Sequence, residues 1–100
     1  MMRQNYPQFS EILYLEGETN YTFLHLSDGK KILSSTTLLR HQEKLGHFLR
    51  VSKKHLVNPD YILEMQKSKE DPKVKLIDGR ELKISRRRID NVIKFLNKVV

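Results

Sequence analysis

Apolar positions along the chain come in short runs broken by polar turns, a spacing that predicts several brief strands and few helices. Met1 to Ser10 is polar, contains Pro7 and reads as a loose lead-in, after which Ile12 to Leu15 is a strand candidate that Glu16-Gly17-Glu18-Thr19-Asn20 breaks. Tyr21 to Leu26 is rich in aromatic and β-branched residues. The Ser27-Asp28-Gly29 that follows, leading into Lys30 to Leu33, predicts a hairpin, because Asp-Gly supplies the positive backbone angle of a tight turn. Ser34 to Thr37 offer hydroxyls to cap a helix over Leu38 to Leu45, on which Leu38, His41, Gln42 and Leu45 share a face and Gly46 is a plausible stop.

The second half repeats the logic. Phe48 to Val51 has strand character, Ser52 to His55 is a polar turn, and Leu56-Val57-Asn58-Pro59-Asp60 leads into a strand at Tyr61 to Met65. Pro59 forbids one continuous strand through this stretch. Lys67 to Lys73 is a charged connector, a second hairpin turns at Asp78-Gly79, and the last element, Arg86 to Leu96, sets Ile89, Val92, Ile93 and Leu96 at helical spacing. Hairpin then hydroxyl-capped helix occurs twice, a weak architectural repeat.

One hundred residues, 38% apolar and 31% charged, fit one ordinary globular domain, expected over 11–100. The absence of cysteine removes disulfides, thiolate zinc sites and cysteine nucleophiles. No apolar run approaches a membrane span and Met1 to Ser10 lacks a signal-peptide core, so the expected address is the cytoplasm. His25, His41, His47 and His55 have no metal-ligand spacing, and along the chain the carboxylate nearest His25 is that of Asp28 in a turn. No Gly-x-Ser-x-Gly elbow or acid/base pair is legible, so neither enzymatic activity, a metal nor a cofactor is expected. His41 reads as a satisfied, partly buried core residue, and Asn58 as structural.

Charge changes the picture more. The formal net charge is +7, with six Lys/Arg against five Asp/Glu in residues 1–50 and thirteen against seven in 51–100. A field of this sign favours an anionic partner. Ser85-Arg86-Arg87-Arg88 opens the final helix, where cations oppose the helix macrodipole and gain from a docked anion such as a phosphate backbone. Arg50, Lys53, Lys54 and His55 form a second basic segment in a turn, and Arg and Lys can bond guanine O6 and N7 or hold phosphates. Read alone, each segment fits a solvated loop better than a site, and Thr19-Asn20 fits an Asx turn. Two basic clusters make one face only if the fold joins them.

From about Ile12 to Leu96 the chain resembles the LytTR-type DNA-binding domains, through YLEGETNY, the SDGK hairpin, LLRHQEKL, FLRVSKKHLVNPDYI and LIDGRELKISRRR in that order. The resemblance implies an elongated, mainly β domain of small antiparallel sheets, with one short mid-chain helix and a C-terminal helix, whose loops enter successive major grooves of double-stranded DNA. It implies base contacts at Asn20, Lys53 and Arg87, with Thr19, Arg50, Ser52, Lys54, Ser85, Arg86 and Arg88 as backbone or supporting contacts. It also implies a transcriptional output domain of two-component response regulators, working with a receiver or other sensory domain and binding repeated half-sites as two copies. Where the family commonly has Arg-x-His-Arg-Ser, this chain has Arg50-Val51-Ser52-Lys53-Lys54, replacing a planar fork by the point donor Lys53. The family's usual aliphatic residue at His41 is also absent. The alternative is a basic interaction module for an acidic protein or membrane surface, without base readout.

Overall fold

Two hairpins of the same geometry organise the computed structural model, which describes residues 6–68 and 70–98. In each, a buried leucine, Leu26 or Leu76, accepts from the N–H of the turn glycine at 3.0 or 2.9 Å and donates to the carbonyl of Lys30 or Arg80 at 2.8 Å. Asp28 and Asp78 accept from the N–H of Lys30 and Arg80 at 2.9 and 3.0 Å, and Gly29 and Gly79 take φ of 92° and 94°. Both turns are thus three-residue hairpin loops that need a glycine in the left-handed region, as Asp-Gly predicts.

After a 3-10 turn at Phe9–Glu11 come β1 (Ile12–Gly17), β2 (Thr22–Leu26), β3 (Lys31–Ser34), α1 (Leu38–Lys44), β4 (Leu49–Arg50) and β5 (His55–Val57). A second 3-10 turn, Pro59–Tyr61, leads to β6 (Ile62–Gln66), β7 (Lys73–Leu76) and β8 (Glu81–Lys83). A third, Arg86–Arg88, runs into α2 (Ile89–Lys98). The antiparallel sheets have the orders β3-β2-β1-β5-β4 and β6-β7-β8, and the protein measures 49 × 25 × 22 Å, the expected elongated, mainly β arrangement.

The structure corrects several boundaries. β1 runs on through Glu16 and Gly17, because a central strand is held from both sides: Glu16 pairs with Phe23 and with His55. The expected strand at Phe48 to Val51 shrinks to two residues, and Tyr61 belongs to the 3-10 turn that Pro59 starts. Thr37 and Ser85 hold the cap positions but make no side-chain capping hydrogen bond. α1 closes at Leu45, whose N–H reaches the His41 carbonyl at 2.8 Å, so Gly46 is not its left-handed stop.

The five-stranded sheet separates two cores. Against α1 lie Ile12, Leu15, Leu24, Leu26 and Leu56 with Leu38, Leu45 and Phe48. The other core joins Tyr14, Leu49 and Val57 to Val74, Leu76, Leu82 and Val92, with Ile89, Phe95 and Leu96 of α2 packed against it. Of the helical face expected on α2, Val92 is fully buried, while Phe95, absent from that pattern, packs on the core.

Two buried polar residues lock this arrangement. Asn58 Nδ2 donates to the carbonyls of Ile12 and Phe9 at 2.9 and 3.2 Å, its Oδ1 accepts from Asp60 N–H at 3.0 Å, and its own N–H reaches the Leu13 carbonyl at 3.1 Å. His41, 3% exposed, sits between the Tyr6 hydroxyl at 2.8 Å from Nδ1 and the Ser34 hydroxyl at 2.9 Å from Nε2, the satisfied core histidine that the sequence suggested. The Tyr6 hydroxyl is pushed up to about 12 by burial.

Replacing Asn58 by Ala removes the side-chain partner of the buried Ile12 carbonyl and the cap on Asp60 N–H, and should cost about 2 kcal/mol, or roughly 10 °C in Tm by calorimetry. Burial holds His41, and likewise His25 and His55, below the usual histidine value. A depressed folded value means that the unfolded chain binds more protons below about 6.5, so stability is full above that pH and is lost as pH falls toward the folded values. The urea midpoint should therefore drop between about pH 7.5 and pH 5.5. An unchanged midpoint would contradict the lowered values of these rings.

Candidate nucleic-acid interface

The β1–β2 loop is rooted by close packing. An ideal Cβ on Gly17 would sit 3.0 Å from Leu38 Cβ, so α1 packs closely against the backbone here and a larger residue would have to displace Leu38. Beyond it, Glu18 N–H donates to the Tyr21 carbonyl at 2.8 Å, and Thr19 and Asn20 are exposed on the resulting bend.

The β4–β5 turn is built around Arg50. Its Nε–H donates to the Ser52 carbonyl at 2.7 Å, one terminal nitrogen to the Lys53 carbonyl at 2.6 Å, and the other to Gln42 Oε1 on α1 at 2.6 Å. Ser52 Oγ accepts from the N–H of Lys54 and His55 at 3.2 and 3.1 Å. Ser52 and Arg50 are thus engaged in shaping the turn, while the Lys53 and Lys54 side chains are exposed. Burial, with the charge of Arg88, lowers the Arg50 value from its usual range.

The third segment is the 3-10 turn Arg86–Arg88. Arg88 N–H closes on the Ser85 carbonyl at 2.9 Å, Arg86 and Arg87 are exposed, and Arg88 is half-buried. Two backbone bonds bring the three segments side by side: Gly17 N–H to the Lys54 carbonyl at 2.7 Å, and Ser85 N–H to the Val51 carbonyl at 2.8 Å. Thr19, Arg50, Lys53 and Lys54 line one open cleft of about 560 Å³, with Gly17, Glu18 and Leu38. Ser52, Lys54, Ser85 and Arg86 share a second of about 540 Å³. Asn20 and Arg87 are the exposed neighbours of Thr19 and Arg86.

A polar chain that sequence reasoning missed runs along the sheet to this face. Arg80 bonds the Tyr14 hydroxyl and lies 3.3 Å from His25 Nδ1; Tyr14 stacks on His25 with centroids 4.2 Å apart; Glu16 lies 3.2 Å from His25 Nε2 and 3.7 Å from Lys54 Nζ. The carboxylate that meets His25 is therefore Glu16, across the strand pair, rather than Asp28, because cross-strand neighbours are distant in sequence. Burial pushes Glu16 up, but its bond to His25 and the charges of His55, His25 and Lys54 bring it below the usual carboxylate value.

Among the described residues no group of three His, Asp or Glu could hold a metal ion, and no helix is long and apolar enough to cross a membrane. No curated protein matches the sequence. The fold is similar to a solved LytTr DNA-binding domain from a protein described as a methyl-accepting/DNA response regulator of Bacillus cereus, with a TM-score of 0.71 and 19% identity over 88% of this chain and 83% of that one. The family model for the LytTr DNA-binding domain matches residues 4–97. With nearly the whole chain matched and the same fold in hand, this protein belongs to the LytTr DNA-binding domain family.

Proposed function

We propose that the chain binds double-stranded DNA sequence-specifically, as the output domain of a transcriptional regulator. The observation that carries this is the joining of Thr19-Asn20, Lys53-Lys54 and Arg86-Arg87 on one face by the Gly17–Lys54 and Val51–Ser85 backbone bonds. On this reading Asn20, Lys53 and Arg87 reach base edges in the major groove, and Thr19, Lys54, Ser85, Arg86 and Arg88 hold phosphates. Repeated half-sites occupied by two copies, a receiver or other sensory partner domain, and action in the cytoplasm complete the proposal.

If about five phosphates are neutralised, the slope of log K against log salt should be near −4 to −5. Arg87→Ala should weaken binding to a duplex selected from a random pool by about 1–3 kcal/mol and relax the preference at one base pair. Unaltered binding by that variant would remove Arg87 from the base-reading set. A random pool from which no sequence is enriched would favour a basic module that recognises charge alone, on an acidic protein or a membrane surface.

A further inference from the structure

The turn that presents Lys53 is closed by few backbone bonds of its own, the Val51 N–H reaching the His55 carbonyl at 3.2 Å and Ser52 Oγ accepting from the N–H of Lys54 and His55. β4 contributes two residues and β5 three, and the Ser52 N–H reaches the His55 carbonyl only at 3.5 Å. Its carbonyls at Ser52 and Lys53 are gathered by two nitrogens of one guanidinium, that of Arg50. A guanidinium on a flexible side chain holds a backbone only if its own plane is fixed, and the third nitrogen supplies that restraint through Gln42 Oε1 at 2.6 Å. Among the described residues no carboxylate lies within ion-pair distance of Arg50, so Gln42 is the side chain that orients it.

Gln42 stands on α1, four residues after Leu38, one helical turn along the same face. Leu38 is the side chain that abuts Gly17 at the root of the Thr19-Asn20 loop. One short helix therefore touches the roots of two of the loops on the binding face. We propose that Gln42 is a positioning residue for DNA recognition, fixing through Arg50 the backbone that aims Lys53 while making no contact with the DNA. This rests on the reading of Lys53 as a base-contacting residue, and it assigns Arg50 to holding the turn in place of gripping phosphate.

The test uses the full chain, a duplex selected by the unaltered protein from a random pool, and a scrambled duplex of equal length. Gln42→Met keeps side-chain length and helix propensity but removes the acceptor, whereas Gln42→Glu keeps an acceptor. In the Met variant the selected-over-scrambled affinity ratio should fall about tenfold with an unchanged salt slope, and the Ser52 to Lys54 amides should gain mobility by NMR relaxation without DNA. The Glu variant should retain the ratio and the rigid turn. A Met variant with the original ratio, or with unaltered relaxation at Ser52 to Lys54, overturns the proposal. Should that variant fail to fold, Arg50→Lys, which keeps the charge and loses the fork, is expected to lower the ratio at constant slope, and an unaltered ratio there overturns it equally. If the unaltered protein enriches no sequence, the base-reading assignment falls and takes this role with it, an outcome separable from loss confined to the variants.

Discussion

The amide of Asn58 is the interaction on which the two-sheet arrangement depends. It stands where the chain leaves β5 for β6, at the point of transfer from one sheet to the other. There the Asn58 NH₂ donates to the Ile12 carbonyl and joins the Ile12 N–H on the Phe9 carbonyl. Its oxygen meanwhile starts the 3-10 turn through Asp60 N–H, with Pro59 at the first position. An amide can do this because it offers donors and an acceptor on one rigid plane; Asp would offer no donor, and Leu would leave the buried Ile12 carbonyl without this partner. With this corner fixed, the second sheet packs Val74, Leu76 and Leu82 against Tyr14 and Val57.

The proposed binding face is anchored on that frame. Its three segments are irregular, yet each is rooted in the large sheet or tied to a neighbour: Gly17 ends β1, Arg50 ends β4, and Ser85 hangs on the Val51 carbonyl. Loops held this way can be exposed at their tips without losing register at their bases, which suits contacts whose value lies in geometry more than in area.

Much of the fold was legible in the chain. Asp28-Gly29 and Asp78-Gly79 announce their hairpins because the turn chemistry is local, and the apolar spacing in Leu38–Leu45 and Ile89–Leu96 marks both helices. Most of what escaped is non-local. The extension of β1 through Glu16-Gly17 follows from partners on both sides and the Glu16–His25 pair from strand register, whereas the half-turn at Pro59–Tyr61 rests on a local cap, Asn58 Oδ1 accepting from Asp60 N–H two residues on. For the site, the basic clusters were visible and their juxtaposition was not. The sequence also marked Gln42 as one more residue of a helix face, with nothing local to reveal its grip on Arg50.

Net charge proves a poor map of the face. The excess of cations lies in residues 51–100, but part of it is consumed within the small sheet, where Lys73 meets Asp71 at 3.2 Å and Glu81 at 3.5 Å, and Lys83 approaches Asp71 at 4.0 Å. Conversely, the nearly neutral first half supplies Thr19 and Asn20, the Gly17 root, Gln42 and Arg50. It also places the Glu16 carboxylate 3.7 Å from Lys54, where on the proposed reading it would oppose a phosphate while steadying that ammonium. A protein that gained affinity by charge alone would have no use for that carboxylate. Its presence beside His25 and Lys54 fits a face in which the direction of each cation matters more than the number of them.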